Sequence, residues 1–379
     1  MSDQRAHRVA GAGRSAGADW VVLTSYDAVA YGAGHVAGIE AGPTPFSGGP
    51  TLAVVAADGS VAVLCNQLER PAAESGWAER VESYESLGYD DLTPLEDKHE
   101  AAARRLFTEL GVGGTVAVQE ATFTDQLARA LPESARLVPV DRELEGARAV
   151  KTPEEIEALR RCADITAIGH AAALAASRPG ITELDAFAEI RCAMENAAGE
   201  RLPLTGDYLS GVARTAGIMG WPGTRELQDG DPVICDLAPR VAGYWGDSCN
   251  TFVLGEPTES FERLWEVSQR ALEHAVATLR PGLTAGEFDA QVRGVVTEAG
   301  LSNPLHIGHG IGTGVHEWPR LVPGHPGRLE EDMVLMVEPG AYDPGVGGVR
   351  LEWMLRVTAD GCEVLSPFAH TLRPAMAGG

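Results

Sequence analysis

The chain lacks several features that would assign it to a common class. Its six cysteines (Cys65, Cys162, Cys192, Cys235, Cys249 and Cys362) are scattered, with no C-x-x-C pair. That argues against a disulfide framework and against a thiolate zinc knuckle. Positive charge is scarce: 30 Lys+Arg stand against 54 Asp+Glu, a formal net charge of −24. A field of that sign repels phosphate backbones and anionic lipid, so neither nucleic acid nor a membrane is expected as a partner. No uninterrupted apolar run approaches the roughly 20 residues that span a bilayer. Met1–Ala16 is polar and lacks the apolar stretch of a secretory signal. The expectation is a reduced, cytoplasmic protein whose partners are small molecules and metal cations.

What is present is an ordinary globular balance of 44% hydrophobic and 22% charged residues over 379 positions, enough for two domains. The first part alternates short β-type runs with helical stretches, which points to an α/β layer. Trp20–Leu23, Thr51–Ala56, Val61–Cys65, Thr115–Val118 and Leu137–Val140 read as strands, and Glu100–Leu110 as a helix. Asp58-Gly59 is expected to make a two-residue hairpin turn. A boundary is expected within Glu145–Thr152, giving domains 1–147 and 148–379. The second domain reads as α+β. Thr152-Pro153-Glu154-Glu155 starts a helix running to about Ser177, and Thr182-x-x-Asp185 caps a second. Glu259–Leu279 and Ala285–Ala299 read as two more.

The chemistry-bearing residues fall in this second domain. Pro232–Asp247 reads as a hairpin reversing around Val241 and Ala242, which would set Asp236 directly opposite Asp247, with Cβ atoms roughly 5 Å apart. Farther on, Val334–Glu338 and Val349–Trp353 flank the turn-rich stretch Asp343–Gly348. A reversal on Gly345 sets Glu338 opposite Glu352. Facing carboxylates repel, so such pairs need a shared proton or a cation, and Glu338 closes an apolar run where a bare charge is costly. His306, His309, His316 and His325 lie close together, two of them in the glycine-rich string Gly308–Glu317. That string fits neither a dinucleotide nor a phosphate-loop pattern. Asp236, Asp247, His309, Glu338 and Glu352 together carry −4, which balances two divalent cations. Hard oxygen donors with one nitrogen suit manganese, iron, cobalt or zinc. Two such ions would activate water and polarise a carbonyl, so the residue types point to metal-assisted hydrolysis.

At these motifs the chain resembles the pita-bread metallopeptidases (family M24), closest to the aminopeptidase P, prolidase and creatinase branch. Ala28–Gly34 resembles that branch's N-terminal signature, and Arg148–Ile156 its interdomain helix start. Gly308-His309-Gly310-Ile311-Gly312, His316-Glu317, Glu338-Pro339-Gly340 and Arg350-Leu351-Glu352 complete the pattern. The resemblance implies a creatinase-like N-terminal domain, a pita-bread catalytic domain and two divalent ions. By the same resemblance Asp247 and Glu352 bridge both ions, Asp236 holds one, and His309 with Glu338 the other. Glu338 doubles as acid/base, His316 contacts the substrate carbonyl, and Arg350 fixes an acidic ligand. It also implies a homodimer acting on a short peptide or other small substrate.

Two positions depart from the pattern. Relatives that cleave before proline carry a histidine where this chain has Met219, followed by Trp221, and methionine donates no hydrogen bond. Trp353 stands where the branch carries a polar residue. The changed substrate wall leaves open a non-peptide metabolite, hydrolysed as by ectoine hydrolases or creatinases or cleaved by a lyase, and a catalytically inactive binding protein.

Overall fold

The computed structural model describes residues 3–36, 47–86, 88 and 91–374. The chain divides into two compact units, Met1–Arg148 and Ala149–Gly379.

In the first unit, strands β1 (Trp20–Leu23), β2 (Leu52–Ala56), β3 (Val61–Asn66), β4 (Arg80–Tyr84), β5 (Thr115–Val118) and β6 (Arg136–Pro139) form one mixed sheet in the order β4-β3-β2-β1-β5-β6. Its central strands are apolar on both faces because both are covered. Val21, Leu23, Val55 and Val63 join one core cluster. Val22, Leu52, Val54 and Leu64 join another with Leu106 and Phe107 of the helix Leu95–Leu110. The β2–β3 connection departs from the expected two-residue turn. Its loop is Ala57-Asp58-Gly59, closed by Gly59 N–H donating to Ala56 O at 2.9 Å. The added residue lets Gly59 take the left-handed position (φ 86°), the three-residue hairpin in which glycine is favoured.

Among the described residues, the second unit has four long helices: Pro153–Ala176, Glu183–Ala198, Glu259–Thr278 and Ala285–Glu298. Three of them begin with reciprocal capping boxes, Thr152/Glu155, Thr182/Asp185 and Thr284/Glu287. The strands are β7 (Leu204–Thr205), β8 (Tyr208–Ser210), β9 (Pro232–Asp236), β10 (Ala238–Val241), β11 (Tyr244–Trp245), β12 (Cys249–Val253), β13 (Gly308–Gly310), β14 (Glu317–Leu321), β15 (Val334–Val337), β16 (Gly340–Asp343), β17 (Gly347–Arg350), β18 (Trp353–Val357) and β19 (Cys362–Val364). They assemble as β11-β10-β7, β12-β9-β8, β14-β13-β15-β18-β19 and β16-β17. Alternation along β15 and β18 divides the core. Leu335, Val337, Leu355 and Val357 pack with Phe261, Leu272, Phe288 and Val292. Val334, Met336 and Met354 pack with Leu159, Ile190 and Met194. The five-stranded sheet is therefore buried on both faces between helix pairs, leaving its strand ends to carry polar groups. No helix among the described residues is long and apolar enough to cross a membrane, and all six cysteines are free thiols.

Candidate metal centre

The first carboxylate hairpin is tighter than its sequence pattern implies. Ala242 (φ 48°) and Gly243 (φ 89°) both adopt left-handed backbone, the signature of a type I′ turn. The strands then pair Val241 with Tyr244 and Arg240 with Trp245, and the same register sets Asp236 opposite Cys249. The expectation that Asp236 faces Asp247 directly is therefore corrected. The reversal falls one residue later than Val241 and Ala242, which moves each partner by two positions. A shift of two keeps the face of the sheet, so Asp247 becomes the diagonal neighbour of Asp236 on the same side.

The second hairpin has the register that a reversal on Gly345 requires. Val337 pairs with Trp353 on one side and Gly340 with Arg350 on the other, which leaves Glu338 opposite Glu352 where the ladder is interrupted. At the interruption the two amides turn to other strands. Glu338 N–H donates to Ile307 O at 2.9 Å, and Glu352 N–H to Cys249 O at 3.0 Å. Those acceptors precede His309 and follow Asp247, so the break in one ladder ties three strands together at the site. His309 itself lies in β13 between β14 and β15. Gly308 before it approaches β15 so closely that a Cβ would fall 1.9 Å from Met336 O.

Side chains of these residues converge. Ligand atoms of Asp247, His309 and Glu352 all lie within 4.8 Å of one another, and all three residues are buried. His309 Nε2 is 3.7 Å from Asp247 Oδ2 and 3.6 Å from Glu338 Oε1. Its Nδ1 is 2.9 Å from Gly310 O. A carbonyl only accepts, so Nδ1 carries the proton and the Nε2 lone pair faces the carboxylates, the orientation a metal-ligating histidine takes. Arg350 Nη2 lies 2.7 Å from Asp236 Oδ2 and 2.5 Å from Asp207 Oδ2.

The charge balance is unfavourable without further cations. Burial, then repulsion from Asp236 and Glu338, raises the Asp247 carboxyl well above its usual range. Glu352 is raised likewise, by burial and then by Asp247 and Glu338. Burial pushes Glu338 up to about 8 and raises Asp236, with the Arg350 charge opposing both shifts. His309 is held neutral, its value lowered by burial to about 3. Asp236 Oδ1 and Glu352 Oε2 are buried with no hydrogen-bond partner. Unpartnered carboxylate oxygens, mutual repulsion and an oriented imidazole fit a divalent cation, and Asp247, His309 and Glu352 can hold a metal ion.

The remaining expected residues are spread around this centre. His316 is exposed, with its ring centroid 4.4 Å from that of His309. Met219 and Trp221 are 72% and 82% exposed. They sit on a loop anchored by Gly220 N–H donating to Asp207 Oδ1 at 2.9 Å, so Asp207 connects that loop to Arg350. Sequence reasoning passed over Asp207 because Thr205-Gly206-Asp207 carries no paired acid or spacing signal. His306, one of the clustered histidines with no role expected from the sequence, has its Nε2 3.5 Å from Glu338 Oε1.

The chain is similar in sequence and fold to known proteins. Residues 157–359 match the model of metallopeptidase family M24. The chain is 32% identical over 226 residues to the Xaa-Pro dipeptidase of Lactobacillus delbrueckii subsp. lactis, covering 59% of this chain and 61% of that relative. It superposes on the Xaa-Pro dipeptidase from Bacillus anthracis with a TM-score of 0.80 at 26% identity, over 98% of this chain and 99% of the other. Dipeptidase PepE from Mycobacterium ulcerans gives a TM-score of 0.78 at 28% identity, over 98% and 96%. The second unit has the pita-bread fold.

Proposed function

This chain belongs to metallopeptidase family M24, and on that premise we propose a dinuclear metal-dependent hydrolase that cleaves the C–N bond of a short peptide, by default an Xaa-Pro dipeptide. One observation carries the reading. Of the four carboxylates Asp236, Asp247, Glu338 and Glu352, Asp236 is paired with Arg350, and buried oxygens of Asp236 and Glu352 have no hydrogen-bond partner. Asp247 and Glu352 would bridge the two ions, Asp236 would hold one, and His309 and Glu338 the other. Bound there, two divalent ions supply Lewis acidity and concentrated positive charge.

The chain's own residues supply the rest. Glu338 takes a proton from the attacking water and returns it to the leaving nitrogen. His316, exposed beside His309, donates a hydrogen bond to the substrate carbonyl oxygen as negative charge develops on it. Arg350, held by Asp207, fixes the Asp236 carboxylate. The ions are manganese, cobalt, iron or zinc, and the reading takes the protein as a cytoplasmic homodimer. Met219 favours a second reading, a non-peptide metabolite with a C–N bond, because its thioether offers a peptide group no hydrogen-bond donor.

The test is turnover of Xaa-Pro dipeptides, longer Xaa-Pro peptides, N-acyl amino acids, creatine-like and ectoine-like compounds with added Mn²⁺. Metal-dependent hydrolysis of an Xaa-Pro dipeptide is expected. Turnover confined to a non-peptide compound would establish the second reading, and no turnover by metal-loaded protein would contradict both.

A further inference from the structure

The segment Leu365–Leu372, which follows β19, runs back across the strands that frame the centre. Leu365 N–H donates to Met354 O at 2.8 Å, and Met354 N–H to Ser366 Oγ at 2.9 Å. Trp353 Nε1–H donates to Phe368 O at 3.2 Å. Farther along, Thr371 N–H donates to Asn250 Oδ1 at 3.3 Å and Val253 N–H to Leu372 O at 2.9 Å. The segment therefore begins on β18 and ends on β12. It crosses between them at His370.

His370 Nε2 lies 3.0 Å from Cys249 O and 3.3 Å from Glu352 O. The Glu352 amide nitrogen is also 3.2 Å away. Facing two carbonyl oxygens, Nε2 carries its hydrogen, and the Glu352 N–H belongs to Cys249 O. One imidazole N–H is thus shared between the carbonyl of Glu352 and that of Cys249, two residues beyond Asp247. The ring is positioned from both sides. It stacks on Trp353 at 4.7 Å and 29°, and meets the edge of Phe368 at 5.2 Å. Phe368 in turn stacks on His170 at 4.3 Å, whose Nε2 is 2.9 Å from Ser248 Oγ. Trp353, the departure beside Glu352, is thus the platform on which His370 rests.

We propose that His370 is a positioning residue for the metal centre: it staples the Cys249 and Glu352 carbonyls and sets the separation of the Asp247 and Glu352 carboxylates. The inference rests on the reading of those two carboxylates as metal ligands. The β15–β18 and β16–β17 ladders do not pair Glu352, so at this break the staple adds to the single Glu352 N–H to Cys249 O bond. Partners that orient a ligand from behind typically govern metal affinity by roughly 10–100-fold.

The test is calorimetric titration of the chelator-treated full chain with Mn²⁺, comparing wild type, His370→Phe and His370→Gln. Phenylalanine keeps the stack on Trp353 and removes the donor; glutamine keeps an N–H near the Nε2 position and gives up the stack. His370→Phe is expected to weaken Mn²⁺ binding roughly 10–100-fold, with little change in the melting temperature of the metal-free protein, and His370→Gln is expected to retain most of the affinity. Wild-type affinity in His370→Phe, or equal losses in both variants, would overturn the positioning role. Should His370→Phe fail to fold, wild-type-like affinity in His370→Gln supports the donor role and a large loss there overturns it. A wild-type protein that takes up no Mn²⁺ would overturn the metal reading itself, a separate and recognisable failure.

Discussion

The two carboxylate hairpins solve the same electrostatic problem with different backbones. In the Asp236/Asp247 hairpin a type I′ turn at Ala242-Gly243 offsets the acids diagonally. In the Glu338/Glu352 hairpin the acids are opposed, at a break in the ladder. Their charge compensation is nonetheless alike. For Asp236 and Glu338 the attraction of Arg350 ranks above repulsion from neighbouring acids. For Asp247 and Glu352 repulsion ranks above Arg350. Each hairpin thus contains one relieved and one unrelieved carboxylate. The unrelieved pair, Asp247 and Glu352, coincides with the pair proposed to bridge two ions.

The largest test of this contrast is to remove one carboxylate of each kind. Asp247→Asn and Glu352→Ala should each lose most bound metal and all activity, because a bridging ligand serves both sites. Asp236→Asn and Glu338→Gln should retain about one ion. Metal analysis of the four purified variants checks this, and equal retention in all of them would erase the distinction.

Next comes His316→Ala, which touches neither hairpin. It should keep its metal while turnover falls roughly 10²–10³-fold, the range for losing one donor to a developing oxyanion. Steady-state kinetics at matched metal loading measure it.

The pH dependence of stability in chelator-treated protein probes the same carboxylates. The carboxyls of Asp247, Glu338 and Glu352 are raised in the folded state, so folded protein holds protons that unfolded chain has released. Their stabilising contribution is complete below the ordinary carboxyl range and is lost as pH rises toward about 8, the value for Glu338. Buried His170, His309 and His370 act oppositely, but only below their ordinary value of 6.5. Between pH 6.5 and 8 the carboxyls therefore dominate. Melting temperature should fall across that window without metal, fall less in Glu352→Gln, and hold steady with saturating Mn²⁺.

The smallest effect concerns the turn. Ala242 has a Cβ in left-handed backbone (φ 48°) and is exposed. Ala242→Gly should raise stability by about 1 kcal/mol without changing metal content, measured by denaturant unfolding. A change in metal content would mean that the diagonal offset depends on strain in this turn.

Much of the fold was legible in the sequence because its signals are local. Thr152, Thr182 and Thr284 sit at capping boxes, and β1 to β3 are short apolar runs bounded by turn residues. The Glu hairpin was legible too, since Asp343–Gly348 offers an unmistakable reversal. The Asp hairpin turns one residue later than the sequence suggests, because Val-Ala-Gly allows two placements and only the structure shows Ala242 adopting positive φ. Asp207 and His370 were illegible for another reason. Each acts through a partner far along the chain, Asp207 through Arg350 and His370 through Cys249 and Glu352, and no spacing rule connects such residues.

A dinuclear centre is tested by a count. Chelator-treated protein reconstituted with excess Mn²⁺, freed of unbound ion and analysed by elemental mass spectrometry, should retain about two ions per chain, the number that the −4 charge of Asp236, Asp247, Glu338 and Glu352 balances. One ion, or none, in correctly folded protein would contradict it.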